Sequence, residues 1–313
     1  MSTLPDVEVL AGVADQGTHP SVRGWRPEAD RLAALEEELR WSVEVAARDL
    51  DWAREYQSHA PQSGAPPERY LDRWTDITPD LGVLWGPRYR ARDPDTPFVG
   101  LTASSRPIDR TDVPALVEAA RDGFTEFTPG YLNLWTADPA GTWAGTRADS
   151  RLLAAPLRQL RARPVPGSVT VRPAPDLSFY ASYVDIQEQQ FRADPVHRLH
   201  TRVETEQTLD ELRAAGTLLE VRVDGRWAGV LAGEPAVSHG LRGAVVIELL
   251  LDPAVRGRGY GAHLNVLLAR ALPLPDDQLL FGTIHADNLP AYRAATGAGR
   301  IDVGGEVLVP IPS

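Results

Sequence analysis

The 313-residue chain has no cysteine, and although it carries 32 basic residues, none is lysine. The missing cysteine excludes disulfides, thiolate nucleophiles and Cys-ligated zinc together. The missing lysine excludes the Gly-Lys-Ser/Thr end of a Walker-type phosphate loop. No stretch approaches the roughly 18 consecutive apolar residues of a membrane span, so no membrane partner is expected. The opening Met1-Ser-Thr-Leu-Pro-Asp shows no basic segment followed by an apolar run, so no secretory signal is expected either. Positive charge is in deficit, 32 Lys+Arg against 43 Asp+Glu, a net charge of -11. That argues against nucleic acid or anionic lipid as a partner. A hydrophobic fraction of 43% and a charged fraction of 24% are ordinary for a folded chain. The expectation is a cytoplasmic protein, monomer or homodimer. Its all-arginine, Ala- and Pro-rich composition points to a GC-rich genome, and a bacterial protein is expected.

Length over about 150 residues gives a prior of two domains. The clearest break is Arg161-Ala-Arg-Pro-Val-Pro-Gly-Ser168, which cannot continue a helix. It sets the expected domains as 1–165 and 166–313. In the first, Leu32, Leu35, Leu39, Val43, Ala46, Leu50 and Ala53 step by three or four residues. That spacing predicts one helix from about Pro27 to about Tyr56. Trp41 and Trp52 lie beside the stripe and are expected to anchor packing.

The second half alternates strands and helices. Strands are expected at 169–173, 218–223, 227–232, 244–251, 279–284 and 305–311. Helices are expected at 176–193, with Asp176 as N-cap, and at 208–213, 261–272 and 289–296. Asp224-Gly225 marks a hairpin turn. The first half repeats part of this order at an offset of about 149 residues. Strand 98–103, helix 113–124 and strand 131–136 match strand 247–251, helix 261–272 and strand 280–284. The whole reads as an α/β chain of mixed sheets with a duplicated fold.

The segment that carries chemistry is Leu249-Leu-Leu-Asp-Pro-Ala-Val-Arg-Gly-Arg-Gly-Tyr-Gly261. A buried strand runs into a loop with three glycines and two arginines, then straight into a helix. Alternate glycines let successive backbone N–H groups turn toward one point. The helix N-terminus adds partial positive charge, and Arg256 and Arg258 add full charges with fork geometry. Together they suit an anion of pyrophosphate size. The glycines at 257, 259 and 261 miss the Gly-x-Gly-x-x-Gly dinucleotide spacing. A plain exposed Gly-rich turn would explain the glycines but not their place between strand and helix.

Arg256-x-x-Gly259-x-Gly261 resembles the Arg/Gln-x-x-Gly-x-Gly/Ala loop of the GNAT superfamily of N-acetyltransferases. The resemblance covers about Val169 to Ile311, in element order as well as motif. It implies a GNAT-like mixed sheet splayed open after the fourth strand, and acetyl-CoA as acyl donor. The pantetheine arm would hydrogen-bond to the backbone of Leu249, Leu250 and Leu251. The pyrophosphate would sit on Arg256, Gly257, Arg258, Gly259, Tyr260 and Gly261. Asp287-Asn288-Leu-Pro-Ala291 resembles the family's Asn-x-x-Ala, which makes Asn288 a cofactor contact. Many members have a Tyr seven residues after that Asn, which protonates the departing thiolate. This chain has Ala295 there, and Tyr292 one turn earlier is the substitute candidate. The family's Gly-Phe appears as Gly299-Arg300.

Glu248 is the candidate base. It is the only charged residue in the apolar strand 244–251, where a charge is costly unless paired, solvated or functional. Burial would raise its pKa toward the range that suits a general base. The alternative is a solvent-facing residue or a partner for an arginine. His285, His197 and His200 are further base candidates, and no His/Asp/Glu spacing indicates a metal. In the first half the loop position is Arg106-Pro-Ile-Asp-Arg-Thr-Asp112, without glycine, so a GNAT-like half that does not bind CoA is expected. The function expected is N-acetyl transfer from acetyl-CoA to a primary amine of a small molecule or peptide in a ternary complex. Backbone N–H of the fourth strand would stabilise the oxyanion. A non-catalytic acyl-CoA-binding regulatory or scaffold protein is the alternative, and transfer of another acyl group or to a hydroxyl is a third.

Overall fold

A computed structural model describes residues 3–60, 64–90, 93–195, 198 and 201–312. The chain divides into two compact units. Unit 1 is Met1–Arg151, Val237–Leu241 and Val303–Ser313; unit 2 is Leu152–Ala236 and Arg242–Asp302. The Pro/Gly stretch at 161–168 lies inside unit 2.

Unit 1 begins with helices α1 (Val7–Gln16), α2 (Pro20–Trp25), α3 (Glu28–Trp41) and α4 (Leu50–Ser58). Strands β1 (Arg73–Thr78), β2 (Leu81–Tyr89) and β3 (Pro97–Ser104) follow, then α5 (Val113–Gly123) and β4 (Tyr131–Thr136). Strand β5 (Arg147–Pro156) begins in this unit. The single helix expected over 27–56 is two. A π-helical turn, Ser42–Ala46, inserts after α3, and Asp49 caps α4 by accepting from the N–H groups of Asp51 and Trp52. The apolar stripe survives this break, because Leu35, Leu39, Val43, Ala46 and Ala53 are all buried. Trp41 is 48% exposed and so is no core anchor; its ring stands edge-on to Trp52.

Alternation along β2 sends Leu84 toward α1 and α3, and Val83 and Trp85 toward α5. The sheet order is β1-β2-β3-β4, followed by β11 (Ile301–Pro310), whose residues 305–310 run antiparallel to β4. β3 and β4 are parallel.

Unit 2 holds α6 (Leu157–Arg161), β6 (Val169–Pro173), α7 (Tyr180–Ala193), α8 (Glu206–Ala214), β7 (Leu218–Val223) and β8 (Arg226–Ser238). Then come β9 (Leu241–Leu251), α9 (Tyr260–Ala271), β10 (Leu279–His285) and α10 (Leu289–Gly297). Asp176 does not cap α7, which starts four residues later. Its carboxylate instead accepts from Ser178 N–H in the preceding turn. The β7–β8 hairpin turns on Asp224 (φ 49°) and Gly225 (φ 78°), the left-handed pair that a two-residue turn requires. The strand order is β6-β7-β8-β9-β10, with β9 and β10 parallel. One face carries α7 and α8, packed on Leu218, Val230, Ala232 and Leu250. The other carries α6 and α9, packed on Leu219, Val221, Leu231 and Leu280.

The two units share a signature. Three antiparallel strands end on one that continues through a helix to a parallel neighbour: β3–α5–β4 in unit 1 and β9–α9–β10 in unit 2. Among the described residues, no helix is long and apolar enough to cross a membrane.

Candidate functional site

The site is built where β9 and β10 part. Only three pairs are in register, Gly243–Leu279, Ala244–Leu280 and Val245–Phe281. Gly243 is required there, since a Cβ would come 1.9 Å from the Leu279 carbonyl oxygen. Beyond these pairs β9 runs on to Leu251 and β10 to His285. Residues 246–251, among them Leu249, Leu250 and Leu251, therefore have no register partner in β10. β3 and β4 of unit 1 likewise pair only through Phe98–Tyr131, Val99–Leu132 and Gly100–Asn133.

Past β9 the chain forms the loop singled out by its glycines. Asp252 accepts from Ala254 N–H and opens a short 3-10 turn, Pro253–Val255. Gly257 (φ 77°) and Gly259 (φ 80°) are both left-handed, a conformation that favours glycine. Gly259 stands at the N-cap of α9 with no side chain to offer. The first N–H groups of α9 are thus free of any side-chain cap, as an anion site at a helix end requires. Gly261 brings α9 close to α10, where an added Cβ would lie 2.9 Å from Ala294 Cβ.

Both arginines of the loop are already engaged by protein acceptors. Arg256 donates from Nε to the Leu251 carbonyl at 2.8 Å and from Nη2 to Gln190 at 3.3 Å. Burial lowers its pKa from the ordinary value. Arg258 donates to the Ala254 carbonyl at 3.3 Å. The Tyr260 hydroxyl lies 3.5 Å from Ser168 Oγ.

Glu248 is neither solvent-facing nor paired with an arginine. It is 9% exposed and points to the α7 face. Its Oε2 accepts from the Tyr183 hydroxyl at 2.8 Å and from Gln187 Nε2 at 3.0 Å, and Oε1 accepts from Leu249 N–H at 2.8 Å. Ile247 packs with the same cluster as Tyr183 and Ile186, while Val246, Leu249 and Leu251 pack with the α9 face. Two successive residues so meet one face, a local break in strand alternation that places the carboxylate under α7. Burial raises the Glu248 pKa, the three donors oppose that rise, and the nearby Glu204 carboxylate adds to it. Burial, and then the Glu248 charge, push the Tyr183 phenol up.

The other candidates lie apart in role. Asn288 caps α10, its Oδ1 accepting from Ala291 N–H at 3.2 Å. The Tyr292 hydroxyl donates to Asp302 Oδ2 at 3.3 Å, and Ala295 is buried. His285 Nδ1 accepts from Asp287 N–H at 3.3 Å. His197 and His200 lie outside the described residues. Among the described residues no group of three His, Cys, Asp or Glu is placed to hold a metal.

Sequence reasoning missed three features. Tyr183 and Gln187, one turn apart on α7, share a face, and that spacing was the available signal. Arg300 is buried at the fork. It donates to the carbonyls of Leu153 and Gly282 and to Asn265 Oδ1, and burial lowers its pKa to about 9. In unit 1 the corresponding loop is closed on itself. Arg106 holds Asp112 through two bonds of 2.8 and 2.9 Å, and Asp112 also accepts from Asp109 N–H. The Arg106 guanidinium keeps the Asp112 carboxyl below the usual carboxylate range.

No family model and no curated protein matches the sequence. Solved structures do. A GNAT-family acetyltransferase from Colwellia psychrerythraea is 11% identical with a TM-score of 0.49, covering 84% of this chain and 96% of its own. A GCN5-related N-acetyltransferase from Sphaerobacter thermophilus is 14% identical with a TM-score of 0.47, covering 85% of this chain and 95% of its own. A tandem GNAT protein from the clavulanic acid biosynthesis pathway is 13% identical with a TM-score of 0.42, covering 92% and 97%. At these identities none of the three assigns a residue role or an acceptor to this chain.

Proposed function

We propose that this protein is an N-acetyltransferase that moves an acetyl group from acetyl-CoA to a primary amine of a small molecule or peptide. One juxtaposition carries the reading. A strand that loses its parallel partner leads through a left-handed glycine loop into an uncapped helix end, and the same strand holds a buried carboxylate. Unit 2 supplies the donor site and the chemistry, and unit 1 is a GNAT-like half without them.

The donor's shape fits what these residues offer. The N–H groups at Gly257 to Gly261 suit its pyrophosphate, and a Cβ at Gly257 or Gly259 would meet nothing within 4 Å, so the loop has open space in front of it. Arg258 and Tyr260 follow in sequence as the further candidates for the pyrophosphate, while Arg256 fixes the loop by tying its guanidinium to the end of β9. Leu249, Leu250 and Leu251 have no register partner in β10, which suits that edge to an amide-bearing arm, although Leu249 N–H and the Leu251 carbonyl already serve Glu248 and Arg256. Asn288 caps α10. Acetyl-CoA, when bound, supplies the activated acetyl group.

An amine must lose a proton as its new N–C bond forms, and Glu248 takes it. Oε2 already carries two donors, whereas Oε1 carries one, so Oε1 has the lone pair for that proton. Tyr292 is the proton donor assigned to the leaving side, its hydroxyl held by Asp302. In unit 1 the Asp112 carboxylate occupies its own loop and takes up both the Arg106 guanidinium and the Asp109 N–H that a phosphate would need.

Acetyl-CoA supplied with a panel of polyamines, aminoglycosides and peptide N-termini tests the reading. Thiol release with an acetylated product is expected for at least one of them. Tight acetyl-CoA binding with no product from any amine would replace it with the acyl-CoA-binding, non-catalytic reading, which the buried Ala295 favours.

A further inference from the structure

Gln187 is out of place for a residue with no task. It is 2% exposed on α7, and its amide oxygen is buried with no hydrogen-bond partner. A buried polar atom without a partner is destabilising by about 1–3 kcal/mol. Leucine or methionine would fill the same volume among Ile186, Leu209 and Leu250 without that penalty. The Gln187 amide nitrogen donates to Glu248 at 3.0 Å, beside the Tyr183 hydroxyl. Tyr183, four residues earlier, is fully buried and is fixed from its other side. Its oxygen accepts from Glu204 N–H at 3.0 Å while its proton goes to Glu248. Both donors converge on Oε2 and leave Oε1 to its single backbone donor.

We propose that Gln187 and Tyr183 are positioning residues. They hold the Glu248 carboxylate in one orientation and supply the two donors that let it ionise inside an apolar layer. The inference rests on Glu248 being the base, but the ionisation it describes is a property of the cluster itself. The surroundings leave these two residues most of the work. Among the described residues, the ionisable groups around Glu248 are Tyr183 itself and Glu204, whose carboxylate is 3.5 Å from Arg202. From α8, β7 and β8 the packed layer contributes Leu209, Leu212, Leu218, Val230 and Ala232. β7 also carries the buried Glu220, whose charge is paired with Arg172 and Arg222.

The test uses Gln187→Met and Tyr183→Phe, which keep volume and remove the donors. The Glu248 side-chain carboxyl is titrated by carbon-13 NMR in the full chain, its signal identified by its loss in Glu248→Gln. The midpoint is expected to rise by about one pH unit in each variant, as loss of one hydrogen bond to a charged group implies. Unchanged midpoints in both folded variants would overturn the proposal, whatever the enzyme's activity. Where an amine substrate is in hand, the acid limb of kcat/KM is expected to move up by the same amount. Activity would recover at high pH, and acetyl-CoA affinity would be unchanged. A uniform loss at every pH with an unmoved limb would show a merely structural role and would likewise overturn it.

Discussion

Replacing Glu248 by Gln tests the chemistry and the burial together. The carboxylate accepts three hydrogen bonds, from Tyr183, Gln187 and Leu249 N–H. A glutamine offers one acceptor oxygen. If that oxygen takes the Tyr183 and Gln187 donors, its own NH2 faces Leu249 N–H where Oε1 now sits at 2.8 Å. One hydrogen bond is lost, worth about 1.5–3 kcal/mol when made to a charged group. Against this, the variant no longer buries a charge.

The balance depends on pH, and its sign follows from the raised pKa of Glu248. The native state holds the proton more tightly than the unfolded chain, whose Glu titrates near about 4.3. Ionisation is therefore penalised in the folded protein. The penalty is absent below the unfolded pKa, grows as pH rises through it, and is complete above the folded pKa. The Tm difference, variant minus parent, is expected to increase with pH from about 4 upward and then level off. A difference that is flat across that range would refute the burial argument. In turnover, loss of a general base is worth about 10²–10⁴-fold, or about 3–5.5 kcal/mol of barrier. A loss below about threefold would refute the assignment of Glu248 as base.

Gly243→Ala forces a Cβ to within 1.9 Å of the Leu279 carbonyl and 2.6 Å of its nitrogen, at the first of the three pairs that hold β9 to β10. Backbone cannot yield there, so a loss of about 3 kcal/mol is expected in denaturant unfolding, with acetyl-CoA affinity falling in parallel. Tyr292→Phe is expected to lower kcat and leave the KM for acetyl-CoA unchanged; an unchanged kcat would remove Tyr292 from the reaction. Asp112→Asn breaks the closed loop of unit 1. Because Arg106 depresses the Asp112 pKa, its contribution is present above the unfolded value near about 3.9 and is lost as pH falls. The Tm difference between Asp112→Asn and parent is expected at neutral pH and not in acid.

Much of this was written locally in the chain. The run from Leu249 to Gly261 spells strand, left-handed loop and helix through its own glycines, and residues 257 and 259 take up the positive φ their identity allows. The repeat of strand, helix and parallel strand was legible because spacing is conserved where side chains are not. The break at Asp49 was harder. Its capping signal was present, but a π turn adds a residue without interrupting the apolar stripe, so periodicity ran straight through it. The clamp on Glu248 was out of reach, because Tyr183 and Gln187 act on a carboxylate 65 and 61 residues away. Nor does a motif say which way a guanidinium points. Arg256 is the first residue of the Arg-x-x-Gly-x-Gly run, yet its side chain serves the Leu251 carbonyl.

Calorimetric titration of acetyl-CoA into the full chain, alongside Gly257→Asp and Gly259→Asp, tests the central claim most directly. One site per chain is expected, with micromolar affinity, weakened at least tenfold by either added carboxylate while the fold holds. No binding, or two equivalent sites, or binding indifferent to both substitutions would contradict it.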